Sequence, residues 1–284
     1  MKLFKNNKRK TSAEFEDYSR VIGSNRPFAT AEAHKRLRTN VMFSFAEDSD
    51  SRVIGITSAM AHEGKTTTSI NLAYDLMKAG QKVLLIDADM RMSNIVKILN
   101  VEKAPGLSNL LVGRENRINC IQSCAELEGL KIISCGDIPP NPSELLSSRR
   151  MVSAIESLRE KFDYIIIDLP PVAEVSDALI VSKMIDGIII VARQDYADKR
   201  LMDDTVRQLK FQEANIIGFV MNCTHTENHF YGKYGKYGKY GRYGRYGKYG
   251  YYRQPETEQP VEIKGVGETE TETNTETENG NDEQ

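Results

Sequence analysis

Between about residues 25 and 228 the chain reads as a doubly wound α/β domain with a mostly parallel sheet and a phosphate-binding loop. Three observations lead there. From residue 52 onward, short β-branched runs alternate with helical patterns. Several of those runs are apolar on consecutive residues, as strands covered on both faces are. A Gly-Lys-Thr triplet (Gly64, Lys65, Thr66) sits where the first run gives way to the first helical pattern.

In order, the expected strands cover residues 53–57, 82–86, 130–134, 164–167, 187–192 and 216–222. Helical periodicity fills residues 66–79, 143–161 and 198–212 between them. Repeated strand–helix alternation closes into a parallel sheet through right-handed crossovers. Ahead of the sheet, residues 30–45 form an amphipathic pattern with Leu37, Val41 and Phe45 on one stripe.

The ends have a different composition. The chain has 284 residues and a formal net charge of −2, and its charges are segregated. Residues 1–10 carry five cations and no acid. Residues 231–252 carry six Lys or Arg and no acid, whereas residues 253–284 carry ten acids against Arg253 and Lys264. The remainder, residues 11–230, is left with about −5, an ordinary value for a folded domain of roughly 200 residues. Four segments follow: a basic N-terminal segment 1–24, the α/β domain 25–228, a Tyr/Gly-rich stretch 229–252 and an acidic tail 253–284.

Some classes of function are excluded. No apolar run approaches the roughly 18 residues of a membrane span, the longest covering only residues 187–192. The basic start lacks the apolar core and cleavage site of a secretory signal. Cys120, Cys124, Cys135 and Cys223 lack zinc-ligand spacing, so reduced, packed thiols and a cytoplasmic setting are expected.

The chemistry concentrates at strand ends. The loop Ala59-Met-Ala-His-Glu-Gly-Lys-Thr66 has the strand–loop–helix context of a phosphate loop, with Ala59 in place of the first glycine. Ala61, His62, Glu63, Gly64, Lys65, Thr66 and Thr67 are its expected nucleotide-binding residues. Backbone N–H groups at the helix start face phosphate oxygens, Lys65 adds a point charge, and the Thr66 hydroxyl reaches Mg²⁺. The second apolar strand ends in Asp87-Ala-Asp89. Residues two apart on a strand share a side, so both carboxylates face the loop and suit metal binding or acceptance of a hydroxyl proton. A third strand ends at Asp168 and is stopped by Pro170 and Pro171. Carboxyl ends of parallel strands are where open α/β sheets bind ligands.

These motifs resemble the bacterial tyrosine kinases of capsule and exopolysaccharide synthesis, specifically the separate cytoplasmic kinase of Gram-positive systems. The resemblance spans nearly all of residues 25–252 and includes LLIDADMR, IIIDLPP and the segment Pro139-Pro-Asn-Pro-Ser-Glu-Leu-Leu146. It implies ATP and Mg²⁺ as cofactors, with Lys65, Asp87, Asp89 and Asp168 catalytic and Thr66, Asp87, Asp89 and Asp168 at the metal. Asp87 is then the acceptor of the tyrosine proton, and Asn222 occupies the adenine-contacting position. It also implies a membrane-embedded activator that recruits the kinase to the inner face of the membrane, a cognate tyrosine phosphatase, and no nucleic acid. Assembly into a homo-oligomeric ring maps to Glu32, Lys35 and Arg38, where Lys35 replaces an arginine and loses its bidentate fork. Partition and cell-division ATPases resemble the chain in sheet and D-x-D strand. Their second loop lysine, however, corresponds here to Met60.

Nine of the 13 tyrosines lie in the tail: Tyr231, Tyr234, Tyr237, Tyr240, Tyr243, Tyr246, Tyr249, Tyr251 and Tyr252. Considered alone, Gly-Tyr-Lys repeats also fit a nucleic-acid-binding or adhesive segment. Beside a kinase core they read as a tethered substrate at high effective concentration. Each phosphorylation adds about −1.5 to −2 charges, enough in total to reverse the tail's sign and release it from a neighbouring subunit. The acidic segment 253–284 serves either as a solvating spacer or as a competitor for the basic tail. The basic N-terminus either adds attraction to anionic lipid or is simply solvated.

Overall fold

The computed structural model describes residues 21–45, 50–125 and 127–224; the expectations for residues 1–20 and 225–284, the tyrosine cluster included, lie outside them. All six expected strands are present: β1 (Arg52–Ser58), β2 (Val83–Asp87), β4 (Lys131–Ile133), β5 (Tyr164–Asp168), β6 (Gly187–Arg193) and β7 (Ile216–Asn222). A seventh, β3 (Ile121–Ser123), was not anticipated, being three residues long with no apolar alternation. The sheet order is β3-β4-β2-β5-β1-β6-β7, parallel throughout except where β3 runs antiparallel to β4.

The consecutive apolar residues of the central strands serve two cores. On β5, Ile165 and Ile167 join Val53, Leu84 and Ile188 on one face. Tyr164 and Ile166 join Ile54, Leu85 and Ile189 on the other. A strand covered on both sides has no polar face to show in its sequence.

Two helical expectations required correction. The helix α1 runs Phe28–Phe43 rather than 30–45, although Val41 is buried and Leu37 and Phe45 pack on the second core as the stripe foretold. The pattern over 143–161 is two helices, α6 (Pro142–Leu146) and α7 (Arg149–Arg159). Ser148 ends the continuity: it is extended, and its hydroxyl accepts from the Met151 N–H, capping α7. Between these lie α2 (Lys65–Lys78), α3 (Ile95–Leu99), α4 (Leu107–Val112) and α5 (Arg117–Cys120). Two further helices, α8 (Asp177–Val181) and α9 (Lys199–Phe211), flank β6. Apart from α2, the helices in this group before β6 were not expected, as most are too short to carry a 3.6-residue period.

Candidate active site

Four strand ends meet at one edge of the sheet. β1 delivers the loop 59–64, β2 delivers Asp87 and Asp89, β5 delivers Asp168 and β7 delivers Asn222. Two hydrogen bonds lock the β1 and β5 ends together, from Leu169 N to Ile56 O and from Val172 N to Ser58 O, both 2.9 Å. The Thr57 hydroxyl donates to the Pro170 carbonyl at 2.7 Å.

Gly64 precedes α2 with φ 93° and ψ 21° in the left-handed region that glycine favours. A Cβ placed there would lie 1.8 Å from Asn222 Nδ2. Asn222 Nδ2 itself donates to the Glu63 carbonyl at 3.0 Å, so β7 props the loop from beneath its last turn. His62 also has positive φ, 62°, which histidine tolerates better than most residues. Ala59 is fully buried, so a small side chain fits where the motif usually has glycine. The Glu63 side chain turns inward and is fully buried, and its Oε2 accepts from the Met60 N–H at 2.8 Å. Burial raises its pKa above the usual carboxylate value. The Ala61 N–H donates to Glu174 Oε1 at 3.0 Å, a carboxylate contact from the loop after β5.

Lys65 Nζ donates to Asp89 Oδ2 at 2.9 Å in a nearly solvent-free pair. Burial alone would lower the Lys65 pKa, but the carboxylates of Asp168, Asp89 and Asp87 outweigh it and the pKa rises. Lys65 is therefore a fixed positive charge. Thr66 Oγ1 donates to Asp168 Oδ2 at 2.7 Å, and Ser69 Oγ donates to Asp168 Oδ1 at 3.0 Å. Asp87 lies opposite Asp168 in the β2–β5 ladder. Asp87 Oδ1 accepts from the Asp89 N–H at 3.2 Å, and Oδ2 accepts from Ser93 Oγ at 2.5 Å. Burial first, then the neighbouring Asp168, pushes the Asp87 carboxyl up to about 8, with the Ser93 hydrogen bond opposing. Asp168 is raised as well, chiefly by burial.

Three buried carboxyls beside one cation supply oxygen donors of the kind a divalent cation takes, and such a cation would favour their ionised forms. Among the described residues no three His, Cys, Asp or Glu side chains enclose an ion. One or two carboxylates, the Thr66 hydroxyl and nucleotide phosphates are the set Mg²⁺ takes. The donors present thus fit a metal that arrives with a nucleotide.

A family model described as an AAA domain matches residues 51–216. The Tyrosine-protein kinase CpsD of Streptococcus pneumoniae serotype 4 is 38% identical over 202 residues, covering 71% of this chain and 87% of that protein. The kinase domain of the Escherichia coli tyrosine kinase ETK superposes with a TM-score of 0.65 at 32% identity, over 70% of this chain and 78% of that one. The chain belongs to the bacterial tyrosine-kinase family. The septum site-determining protein MinD of Pyrococcus horikoshii, solved with Mg-ADP, is a more distant neighbour: TM-score 0.52 and 27% identity, over 60% of this chain and 70% of that chain. The positioning-ATPase alternative is accordingly the weaker one.

Within this tyrosine kinase, Lys65, Thr66, Asp87, Asp89, Asp168 and Asn222 lie at the carboxyl ends of β1, β2, β5 and β7. Thr67 follows on the first turn of α2 and is half-buried. Sequence reasoning missed Ser69, Ser93 and Glu174. Ser69 lies three residues after Thr66 on one helix face, a spacing that could have found it; Glu174, 113 residues from Ala61, gave no signal. Glu32 and Lys35 pair with each other at 2.7 Å and are exposed, while Arg38 turns inward to the Asp75 carbonyl at 3.5 Å. Among the described residues no helix is long and apolar enough to cross a membrane.

Proposed function

We propose that this tyrosine kinase uses Mg²⁺–ATP to phosphorylate its own C-terminal tyrosines, Tyr231 through Tyr252, in trans between subunits. The observation that carries the reading is the constellation of Lys65, Thr66, Asp87, Asp89 and Asp168 around one strand-end cleft. Lys65 and the N–H groups at the start of α2 hold and neutralise the β- and γ-phosphates. Gly64 allows the backbone to approach them. Thr66 and Asp168, already hydrogen-bonded, together with Asp89, hold the metal. Mg²⁺, when bound, offsets phosphate charge and lowers the pKa of nearby acids. Asp87 accepts the phenolic proton, and Ser93 keeps that carboxylate oriented. Asn222 supports the loop and contacts adenine.

The acceptor segment, rich in Gly and Lys, presents successive hydroxyls to the acidic cleft of a neighbour. A ring assembled through Glu32, Lys35 and Arg38 would bring the tails and clefts together. By the family resemblance, a membrane-embedded activator recruits the kinase to the inner face of the membrane, a phosphatase reverses the reaction, and capsule or exopolysaccharide synthesis is the process controlled. The test is phosphotyrosine formation by purified chain with Mg²⁺–ATP and the cytoplasmic fragment of its activator. Signal lost in Lys65→Met supports the reading. ATP turnover without phosphotyrosine would return the positioning-ATPase alternative.

A further inference from the structure

Side chains from two other strands grip the phosphate loop, one on each side. On the β7 side, Asn222 Nδ2 donates to the Glu63 carbonyl at 3.0 Å. On the β5 side, the Ala61 N–H donates to Glu174 Oε1 at 3.0 Å. The backbone delivers Glu174 to that point. Val172 N donates to Ser58 O at 2.9 Å and Ala173 N to Ala59 O at 3.2 Å, so residues 172–174 run alongside 58–61. The two acids bonded to loop amides differ in kind. Glu63, on the Met60 N–H, is fully buried and part of the loop itself. Glu174 is exposed and comes from 113 residues away, so its side chain can swing off the loop without unburying anything.

The side of the loop on which this contact falls decides what it opposes. In the sheet, β5 and β2 lie to one side of β1, and β6 and β7 to the other. Asp168, Asp89 and Asp87 are on the β5–β2 side, where Lys65 Nζ meets Asp89 and Thr66 meets Asp168. The phosphoryl group that is transferred belongs among them, and the Ala61 N–H leans to the same side. Loop amides are anion donors, but a carboxylate and a phosphate oxygen cannot both occupy one N–H, and like charges so close repel. We infer that Glu174 and the γ-phosphate compete for the Ala61 N–H, and that Glu174 thereby sets the preference of the site between ATP and ADP. The inference rests on the nucleotide-binding part of the kinase reading above. ADP lacks the competing group and binds with Glu174 in place. ATP binds only the fraction of chains in which Glu174 has swung out. If Glu174 holds the amide in about four fifths of the chains, the affinity for ATP is about fivefold weaker and that for ADP is untouched.

The test is titration calorimetry of the full chain with Mg²⁺–ADP and with Mg²⁺–AMP-PNP, whose imido bridge keeps the γ-phosphate in place. Glu174→Ala and Glu174→Gln are compared with Glu156→Ala, which removes an exposed acid from α7 and so controls for a general loss of negative charge. In Glu174→Ala the Kd for AMP-PNP is expected to fall about fivefold, with the Kd for ADP held. Glu174→Gln keeps an acceptor oxygen without the charge and should fall between Glu174→Ala and the unaltered chain. Glu156→Ala should bind both nucleotides as the unaltered chain does. AMP-PNP binding that is unchanged or weaker in Glu174→Ala overturns the inference, the weaker result making Glu174 a brace of the loop. A gain shared equally by ADP overturns it too, since the γ-phosphate is then not what Glu174 opposes. None of these arms needs tyrosine transfer. A chain that binds nucleotide yet makes no phosphotyrosine sinks the kinase reading alone, whereas an unaltered chain that binds neither nucleotide overturns both.

Discussion

Gly64 and Asn222 are 158 residues apart in sequence, yet a methyl on Gly64 would meet Asn222 Nδ2 at 1.8 Å. Gly64→Ala would combine a strained left-handed backbone with a clash against Asn222 Nδ2. Its expected result is at least a hundredfold loss in affinity for Mg²⁺–ATP, about 2.7 kcal/mol, read by titration calorimetry. Asp87 makes the second residue-scale prediction. Its folded pKa of about 8 lies above the unfolded 3.8. The folded state therefore holds a proton that the unfolded state releases, and in metal-free buffer stability falls as pH climbs through that window. Asp87→Asn removes this slope. Relative to the unaltered chain, its stability should improve by about 2 kcal/mol or more between pH 5 and pH 8, given about 1.4 kcal/mol per pKa unit. Denaturant titrations at the two pH values would check it. Asp87, Asp89 and Asp168 were legible in the sequence because each directly follows an apolar strand. Ser93 and Glu174 were not, because a small polar residue or a lone acid in a loop carries no period and takes its meaning from a partner brought in by the fold.

At the scale of elements, the segment ahead of β1 docks on the phosphate-loop helix through polar contacts. Arg26 makes a bidentate pair with Asp75 of α2 at 3.0 and 2.5 Å, buried on both sides, and lies over the Tyr74 ring. Asn71 of α2 accepts from Gly23 N and donates to the Val21 carbonyl. Its amide also faces His34 Nε2 at 3.4 Å, a contact that requires His34 to be neutral with Nε2 as acceptor. Burial, reinforced by Arg26 and opposed by Asp75, lowers the His34 pKa from 6.5 to about 4. Since the unfolded chain binds this proton first, the contribution of His34 is complete above pH 6.5 and lost as pH falls toward 4. Comparing the unaltered chain with His34→Gln isolates it from the opposite slope of Asp87. The unaltered chain should lose up to about 3 kcal/mol more over that interval, measured by denaturant unfolding. The stripe of α1 was readable, but the burial of Arg26 was not, since a basic residue before a helix ordinarily signals solvent. The break at Ser148 was hidden in the same way: the apolar period continues through Met151, Ile155 and Leu158, and only the cap divides it.

At the scale of the molecule, the mostly parallel sheet explains why the site was easy to find and its surroundings were not. Every parallel strand points its carboxyl end to the same edge, so motifs scattered from residue 59 to residue 222 converge without further specification. The antiparallel β3 and the short helices arise from loops, where the sequence pattern is weakest. The net charge of −2 conceals an acidic cleft and a basic tyrosine segment, the two complements that the proposed reaction joins. Phosphorylation would change that balance, each event adding about −1.5 to −2 charges.

The central claim is transfer from one copy to the tail of another. Mixing two forms measures it directly. One carries Lys65→Met with all nine tail tyrosines intact. The other retains Lys65 and has those tyrosines replaced by phenylalanine. With Mg²⁺–ATP and the activator fragment, phosphotyrosine should accumulate on the Lys65→Met chain within residues 231–252, read by mass spectrometry, while neither form alone gives signal there. ATP hydrolysis by the mixture with no phosphotyrosine in that segment would contradict it.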